Sequence, residues 1–384
     1  MRRLFAVGML CGLAGCSGVQ HTIKDWFSSD RAKDNLPAAL VQFGERAAFT
    51  VRWQQNVGEI GNNPLAPVVT ADAVYAANGK GELYRLSRND GKQAWHVNAG
   101  FEISGGVGAG EGLLLVGGAK GELAAFGEDG KLRWQVKVTS EVMSAPQVAE
   151  GVVVVRTGDG RIAGLDAANG KQLWNYLRAT PSLIVRSHAG VAVQRNAVFA
   201  GFAGGKLAAL DLKTGALLWE TAVSQPRGNT ELERISDVTS TPVVDDEQVC
   251  AIAFQGRLAC FDIVQGSLLW SRDISSDKGL YLLRKFLYVT DANGGVLALE
   301  KSSGSTVWKN EQLSYRKTSV ATPLGDWLVV GDLEGYVHAL SREDGSFASR
   351  LKTDGSAILV EPVEFDKGVL VQTRAGGLYS FALH

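Results

Sequence analysis

Few side chains in this sequence have the type and spacing to do chemistry. His21, His96, His188, His338 and His384 never fall at metal-ligand separations. The sequence also lacks a nucleophile elbow, a P-loop and a phosphate-binding helix start. Asp166, Asp211 and Asp262 recur at one repeat position, just before a turn, where an aspartate caps backbone N–H groups rather than moving protons. Cys250 and Cys260 flank the hairpin AIAFQGRLA. An even-numbered turn there places them on opposite faces of the sheet, so two buried free thiols are expected rather than a disulfide. The expectation is therefore no catalytic residue, no metal and no cofactor. One cysteine stands apart: Cys16 closes the stretch Leu13-Ala14-Gly15-Cys16 behind a basic head, Met1-Arg2-Arg3.

The apolar run from Leu4 to Gly15 is about twelve residues, too short for a membrane helix, which needs ~20. A charged head before such a run is the layout of a secretory signal. Ending in Leu-Ala-Gly-Cys, it resembles the lipobox of bacterial lipoproteins. That resemblance implies removal of residues 1–15, acyl chains on the thiol and amine of Cys16, and, with Ser17 rather than Asp next, sorting to the outer membrane. Residues 16–48 carry no sustained period of 2 or 3.6 and read as a lipidated, mostly extended tether.

Beyond the tether the chain repeats itself. GKLAALDLKTGALLW, from Gly205, is a strand, a turn and a second strand ending in Trp. The pattern recurs with phasing glycines at 81, 121, 160, 205, 256, 294, 335 and 376, spaced 40, 39, 45, 51, 38, 41 and 41 apart. Several short strands per ~40 residues mark a β-propeller. In the third unit, four strands are expected at 146–149, 152–156, 161–166 and 171–176, separated by turns rich in Gly and Asn. Trp95, Trp134, Trp174, Trp219, Trp270 and Trp308, one per unit, belong at the contacts between neighbouring sheets.

The fold expected is all-β: residues 49–384 as a single eight-bladed propeller of four-stranded antiparallel blades. The eighth unit stops inside its third strand, at Phe381-Ala382-Leu383-His384. Phe49-Thr50-Val51-Arg52-Trp53 is a strand without a partner and should supply the missing outer strand, closing the ring. Ser349 stands where the seventh unit should carry Trp, so a weaker junction with the eighth is expected. Lysine plus arginine (39) nearly balances aspartate plus glutamate (40), which leaves no basic face for nucleic acid.

A ring of equal blades is scaffold, so function is sought where the units differ. From each Trp position to the next inner strand most gaps run 10 to 14 residues, but those after Trp174 and Trp219 are 17 and 23. Both insertions join an outer strand to the next inner strand, so they emerge side by side on one rim. They carry Ser182-Leu183-Ile184-Val185-Arg186 and Glu231-Leu232-Glu233-Arg234-Ile235-Ser236-Asp237-Val238. Apolar residues among charges on neighbouring long loops suit a protein-binding patch.

Two family resemblances bear on this. The motif L-x-A-L-D followed by T-G-x-x-x-W resembles the repeats of pyrroloquinoline-quinone-dependent alcohol dehydrogenases, which implies a quinone-dependent oxidoreductase as the rival reading. The chain lacks that family's adjacent Cys-Cys pair and its calcium-binding Asp/Glu/Asn set. Over its whole length, and most specifically in NTELERISDV followed by TSTPVV, it is similar to the BamB family, the lipoprotein subunit of the outer-membrane β-barrel assembly machinery. That resemblance implies a non-catalytic docking protein, lipid-anchored on the periplasmic face of the outer membrane. It implies binding to the POTRA domains of the barrel subunit BamA and association with the other subunits. The partner-contacting residues it implies are Leu183, Ile184, Val185, Arg186, Glu233, Arg234 and Asp237, with Thr239 standing where the family has a second Asp. Arg186 and Asp237 either reach the partner or pair with each other.

Overall fold

A computed structural model describes residues 36–384, and all regular elements among them are strands. The lipobox cysteine and the first part of the tether lie outside the described residues. Eight four-stranded antiparallel sheets succeed one another: blade 1 (residues 68–98), blade 2 (103–137), blade 3 (147–177), blade 4 (191–222), blade 5 (243–272), blade 6 (279–310), blade 7 (322–352) and blade 8 (363–383 with Phe49–Asn56). Within each blade the strands run in chain order from the inside out, the last place in blade 8 being taken by Phe49–Asn56. The second and third strands are mostly buried along their middles because neighbouring blades cover both their faces; Val152–Arg156 and Arg161–Asp166 in blade 3, charged only at their ends, are examples. Outer strands alternate, as Gln172–Leu177 does, since only one face is covered.

The tryptophans weld the blades together. Trp174 donates its indole N–H to the Leu212 carbonyl of blade 4 at 2.9 Å, and Trp134 reaches Ala167 of blade 3 at 2.8 Å. Trp53, Trp95, Trp219, Trp270 and Trp308 make the equivalent bond to the blade after theirs. Each ring lies flat on a turn glycine of that next blade. At Gly215 (φ +69) an added Cβ would sit 2.5 Å from the Trp174 ring, so the glycine is required both for its backbone and for its lack of a side chain. The repeated aspartates do cap turns: Asp211 accepts the N–H groups of Lys213 and Thr214.

Phe49–Asn56 pairs with Gly377–Leu383 from Phe49↔Leu383 to Asn56↔Gly377, and the ring closes as expected. This closure explains Ser349. The receiving turn in blade 8 would join its third and fourth strands, and there His384 and Ala48 meet through backbone hydrogen bonds instead of sharing a turn. An indole from blade 7 would find no turn carbonyl and no turn glycine. The residues before the closing strand fill the space instead. Ala38–His384 form one compact unit, so the later part of the expected 16–48 tether is packed, not free. Phe43 stacks on Phe347 at 5.2 Å, and the amides of Arg46 and Ala47 donate to the Ala348 carbonyl. Ala47 is buried beside Ala339 and Ala348. The junction expected to be weak is therefore strapped.

The strap is held by buried charge in blade 7. Arg316 donates from Nε to Asp332 at 2.7 Å, from Nη1 to the Ala38 carbonyl at 2.9 Å, and from Nη2 to Glu334. Arg350 donates to the Val41 carbonyl at 3.0 Å and lies over the Phe43 ring. His338, fully buried, joins the two arginines: Asp332 lies 3.0 Å from its Nε2, and Arg350 donates to its Nδ1 at 3.2 Å.

One sequence expectation fails. Cys250 and Cys260 are directly opposed in register and form a disulfide, with Cα atoms 4.1 Å apart. The connection from Ile252 to Leu258 holds five residues, an odd number, with Gln255 at φ 50. An odd connection sets Cys250 opposite Cys260, and opposed side chains share a face, so the two thiols meet.

Candidate functional site on the blade 3 to blade 5 rim

Every connection from an outer strand to the next inner strand leaves on the same rim of the ring. Two of them, residues 178–190 and 223–242, are the long ones, and they are fastened to each other. Asp237, nearly fully buried, accepts the Val185 amide at 2.7 Å and the Gly204 amide at 2.9 Å. The two loops thereby become one surface supported by blade 4. Further ties run from the Gly190 amide to Thr241 Oγ1 (2.9 Å) and from the Val238 amide to the Phe202 carbonyl (3.2 Å).

The anticipated pairing of Arg186 with Asp237 does not occur. Asp237 spends both carboxylate oxygens on backbone amides. Arg186 turns the other way, donating to Glu141 Oε2 at 2.7 Å and to Met143 Sδ at 3.1 Å on the connection between blades 2 and 3. Burying Asp237 is tolerable because two N–H groups satisfy it, whereas a second buried cation would add a desolvation cost.

Glu233 and Arg234 act inside their own loop. Glu233 accepts the amides of Asn229 and Thr230, while its own amide donates to Thr230 Oγ1, a reciprocal cap on a single helical turn. Those two amides hold the exposed Glu233 carboxyl below its usual range. Arg234 donates to the Gly228 carbonyl at 3.1 Å. Thr239, which stands where a second aspartate was expected, is buried and presents no surface. Among the exposed polar and charged side chains of the loops stand three large apolar ones: Leu183 is 40% exposed, Ile184 38% and Leu232 67%.

Beneath the first loop lies a cavity of about 250 Å³, walled by Ile184, Val185, Phe202, Val238, Asp237 and Arg156. Arg156 ends the apolar strand Val152–Arg156, and its guanidinium lies over the Phe202 ring at 5.7 Å. Burial pulls its pKa down to about 10, partly opposed by the charge of Asp237. Arg156, Glu141 and Met143 escape a reading of the sequence alone. A cation terminating a run of four valines is the available signal for Arg156. Glu141 and Met143 lie on a connection of ordinary length, where nothing distinguishes them.

Among the described residues no group of three or more His, Cys, Asp or Glu side chains is placed to hold a metal ion. The buried His338–Asp332 pair faces the strap, not a cavity, and is structural.

The family model described as outer membrane protein assembly factor BamB matches residues 79–310. A protein of that name from Nitrosomonas eutropha is 43% identical over 99% of this chain and 95% of its own length. Another, from Burkholderia pseudomallei, is 39% identical over 92% of this chain and 93% of its own. The crystal structure of BamB from Moraxella catarrhalis superposes with a TM-score of 0.80 at 29% identity, covering 87% of this chain and all of that one. Quinohemoprotein alcohol dehydrogenase from Comamonas testosteroni superposes at 0.71 with 13% identity over 87% of this chain and 76% of that one, a likeness of fold alone.

Proposed function

The chain belongs to the BamB family, whose members are outer membrane protein assembly factors, and from that premise we propose that it is a non-catalytic docking subunit of the outer-membrane assembly machinery. Its partner is a BamA-like barrel subunit, engaged through POTRA domains, and it is held on the periplasmic face of the outer membrane by acyl chains on Cys16. The observation that carries this reading is the pairing of the two long loops through Asp237, which leaves Leu183, Ile184 and Leu232 exposed on one braced surface. Large apolar side chains at the centre of a polar rim are what association buries.

In this reading Leu183 and Ile184 touch the partner, Arg186 contributes from its bridge to Glu141, and Asp237, Glu233 and Arg234 hold the loops in the docking shape. A photo-crosslinker at position 183 in cells should capture the barrel subunit; recovery of the uncrosslinked chain alone would refute the docking surface. Asp237→Ala should weaken POTRA binding about tenfold or more, since loss of a positioning carboxylate costs at least ~1.4 kcal/mol. Fatty-acid labelling that persists in Cys16→Ala would remove the anchor from the proposal.

A further inference from the structure

We propose that the cavity around Arg156 receives a carboxylate side chain, an Asp or Glu, of the protein that docks on this rim; the inference rests on the docking reading above. Arg156 carries five N–H donors. Among the described residues only one hydrogen bond leaves its guanidinium, from Nη1 to the Ala189 carbonyl at 3.3 Å. Its other contact is the Phe202 ring, which takes no hydrogen bond in the guanidinium plane. Two carboxylates border the cavity, and both are already engaged. Glu141 is bound to Arg186, and Asp237 is bound to the Val185 and Gly204 amides. Neither hydrogen-bonds to Arg156.

A half-buried guanidinium with one long hydrogen bond and no bonded acid has donors to spare, and a carboxylate entering the cavity would satisfy them. The same rim shows the satisfied arrangement. Arg316, on the connection between blades 6 and 7, has Asp332, Glu334 and the Ala38 carbonyl on its three nitrogens. Arg156 has the guanidinium, half-buried, but not the acid. The cavity beside it, at about 250 Å³, admits an Asp or Glu side chain. Its walls include Ile184, Val185, Val238 and Met143, and once a docked partner covers the mouth a bidentate arginine–carboxylate pair there is shielded from water. Arg156 then supplies specificity at the base of a patch whose rim, Leu183 and Ile184, is apolar.

The test is a double-mutant cycle with the full chain and the soluble POTRA domains of the barrel subunit as probe. Arg156→Gln should weaken binding by roughly thirtyfold or more, the effect of truncating one partner of a buried, hydrogen-bonded charge pair. Of the probe's Asp and Glu residues, changed singly to amides, one should weaken binding to the wild-type chain by a similar factor. It should add almost nothing on the Arg156→Gln chain. Arg156→Lys, which keeps the charge and loses the fork, should fall between. Wild-type affinity in both Arg156 variants, or independent effects of every acidic substitution, overturns the proposal while leaving docking intact. Failure of the wild-type chain to bind the probe removes both.

Discussion

Two arginines sit at one rim of the ring, Arg316 on the connection between blades 6 and 7 and Arg156 at the end of a blade 3 strand, beneath the connection to blade 4. Around Arg316 the space is filled from within. Asp332 and His338 come from blade 7, and the carbonyl of Ala38 comes from a segment 278 residues away in the chain. Around Arg156 the connection is longer, the neighbouring acids are bound elsewhere, and a cavity remains. One arrangement closes the molecule upon itself. The other leaves a cation for something outside it. The same side chain at the same rim is structural or receptive according to whether an acid of its own chain reaches it.

The sharpest way to break this contrast is to remove each guanidinium. Arg316→Met leaves Asp332, fully buried, with only His338 beside its Oδ2 and frees the start of the strap. Loss of one partner from such a buried pair costs ~3–5 kcal/mol, and a urea titration should show it as a shift of midpoint. A midpoint unchanged by Arg316→Met would mean that the strap is ornamental.

How far this contrast can be foreseen differs between its halves. The ring is legible because glycine phasing, turn dipeptides and one tryptophan per unit repeat a local signal eight times. The closing strand is legible because Phe49-Thr50-Val51-Arg52-Trp53 is half of a unit whose other half ends the chain. The disulfide is lost to the parity of one turn, which no composition reveals. The strap is invisible, since Val41, Phe43 and Ala47 keep to no period and their partners lie some 300 residues on. The loop insertions are readable by length. That Asp237 takes backbone amides, and Arg186 turns to Glu141, depends on approach across blades that spacing does not encode.

Mild acid should act on the strapped half through His338. Burial among protein atoms lowers the His338 pKa below its ordinary 6.5, with the bonded Asp332 opposing and Arg350 and Arg316 reinforcing. Glu334 and Tyr336 complete its charged and titratable surroundings. A folded-state pKa below the unfolded one means that the unfolded chain binds the proton first. Stability is therefore complete above about pH 6.5 and is lost as pH falls below it, at up to ~1.4 kcal/mol per unit. Asp332, whose own pKa is lowered, contributes stability that is lost only in stronger acid. Melting curves from pH 7.5 to 5.5 should fall for the wild-type chain and flatten for His338→Gln. A parallel fall in both would assign the effect elsewhere.

Phe43→Ala tests the strap's apolar contact with no charge involved. The ring is half-buried and stacked on Phe347, so its removal should cost ~1–2 kcal/mol, less than a fully buried Phe. Hydrogen exchange should quicken at Arg46 and Ala47, whose amides donate to Ala348. The blade 3 to blade 5 rim should keep its wild-type exchange.

The smallest stability effect is expected at the other arginine. Arg156→Met exchanges a half-buried cation, held by one 3.3 Å hydrogen bond, for an apolar chain of similar length. The lost bond and ring contact are offset by the desolvation no longer incurred, so the midpoint should move by less than ~1 kcal/mol, and replacing buried charge with a packed apolar group can even raise it. Stability and binding then part company. Arg316→Met lowers stability while leaving the docking rim unaltered, and Arg156→Met leaves stability almost untouched while weakening capture of the POTRA domains. A loss at Arg156 as large as that at Arg316 would show that an internal acid already serves it in solution, and the two arginines would no longer be different in kind.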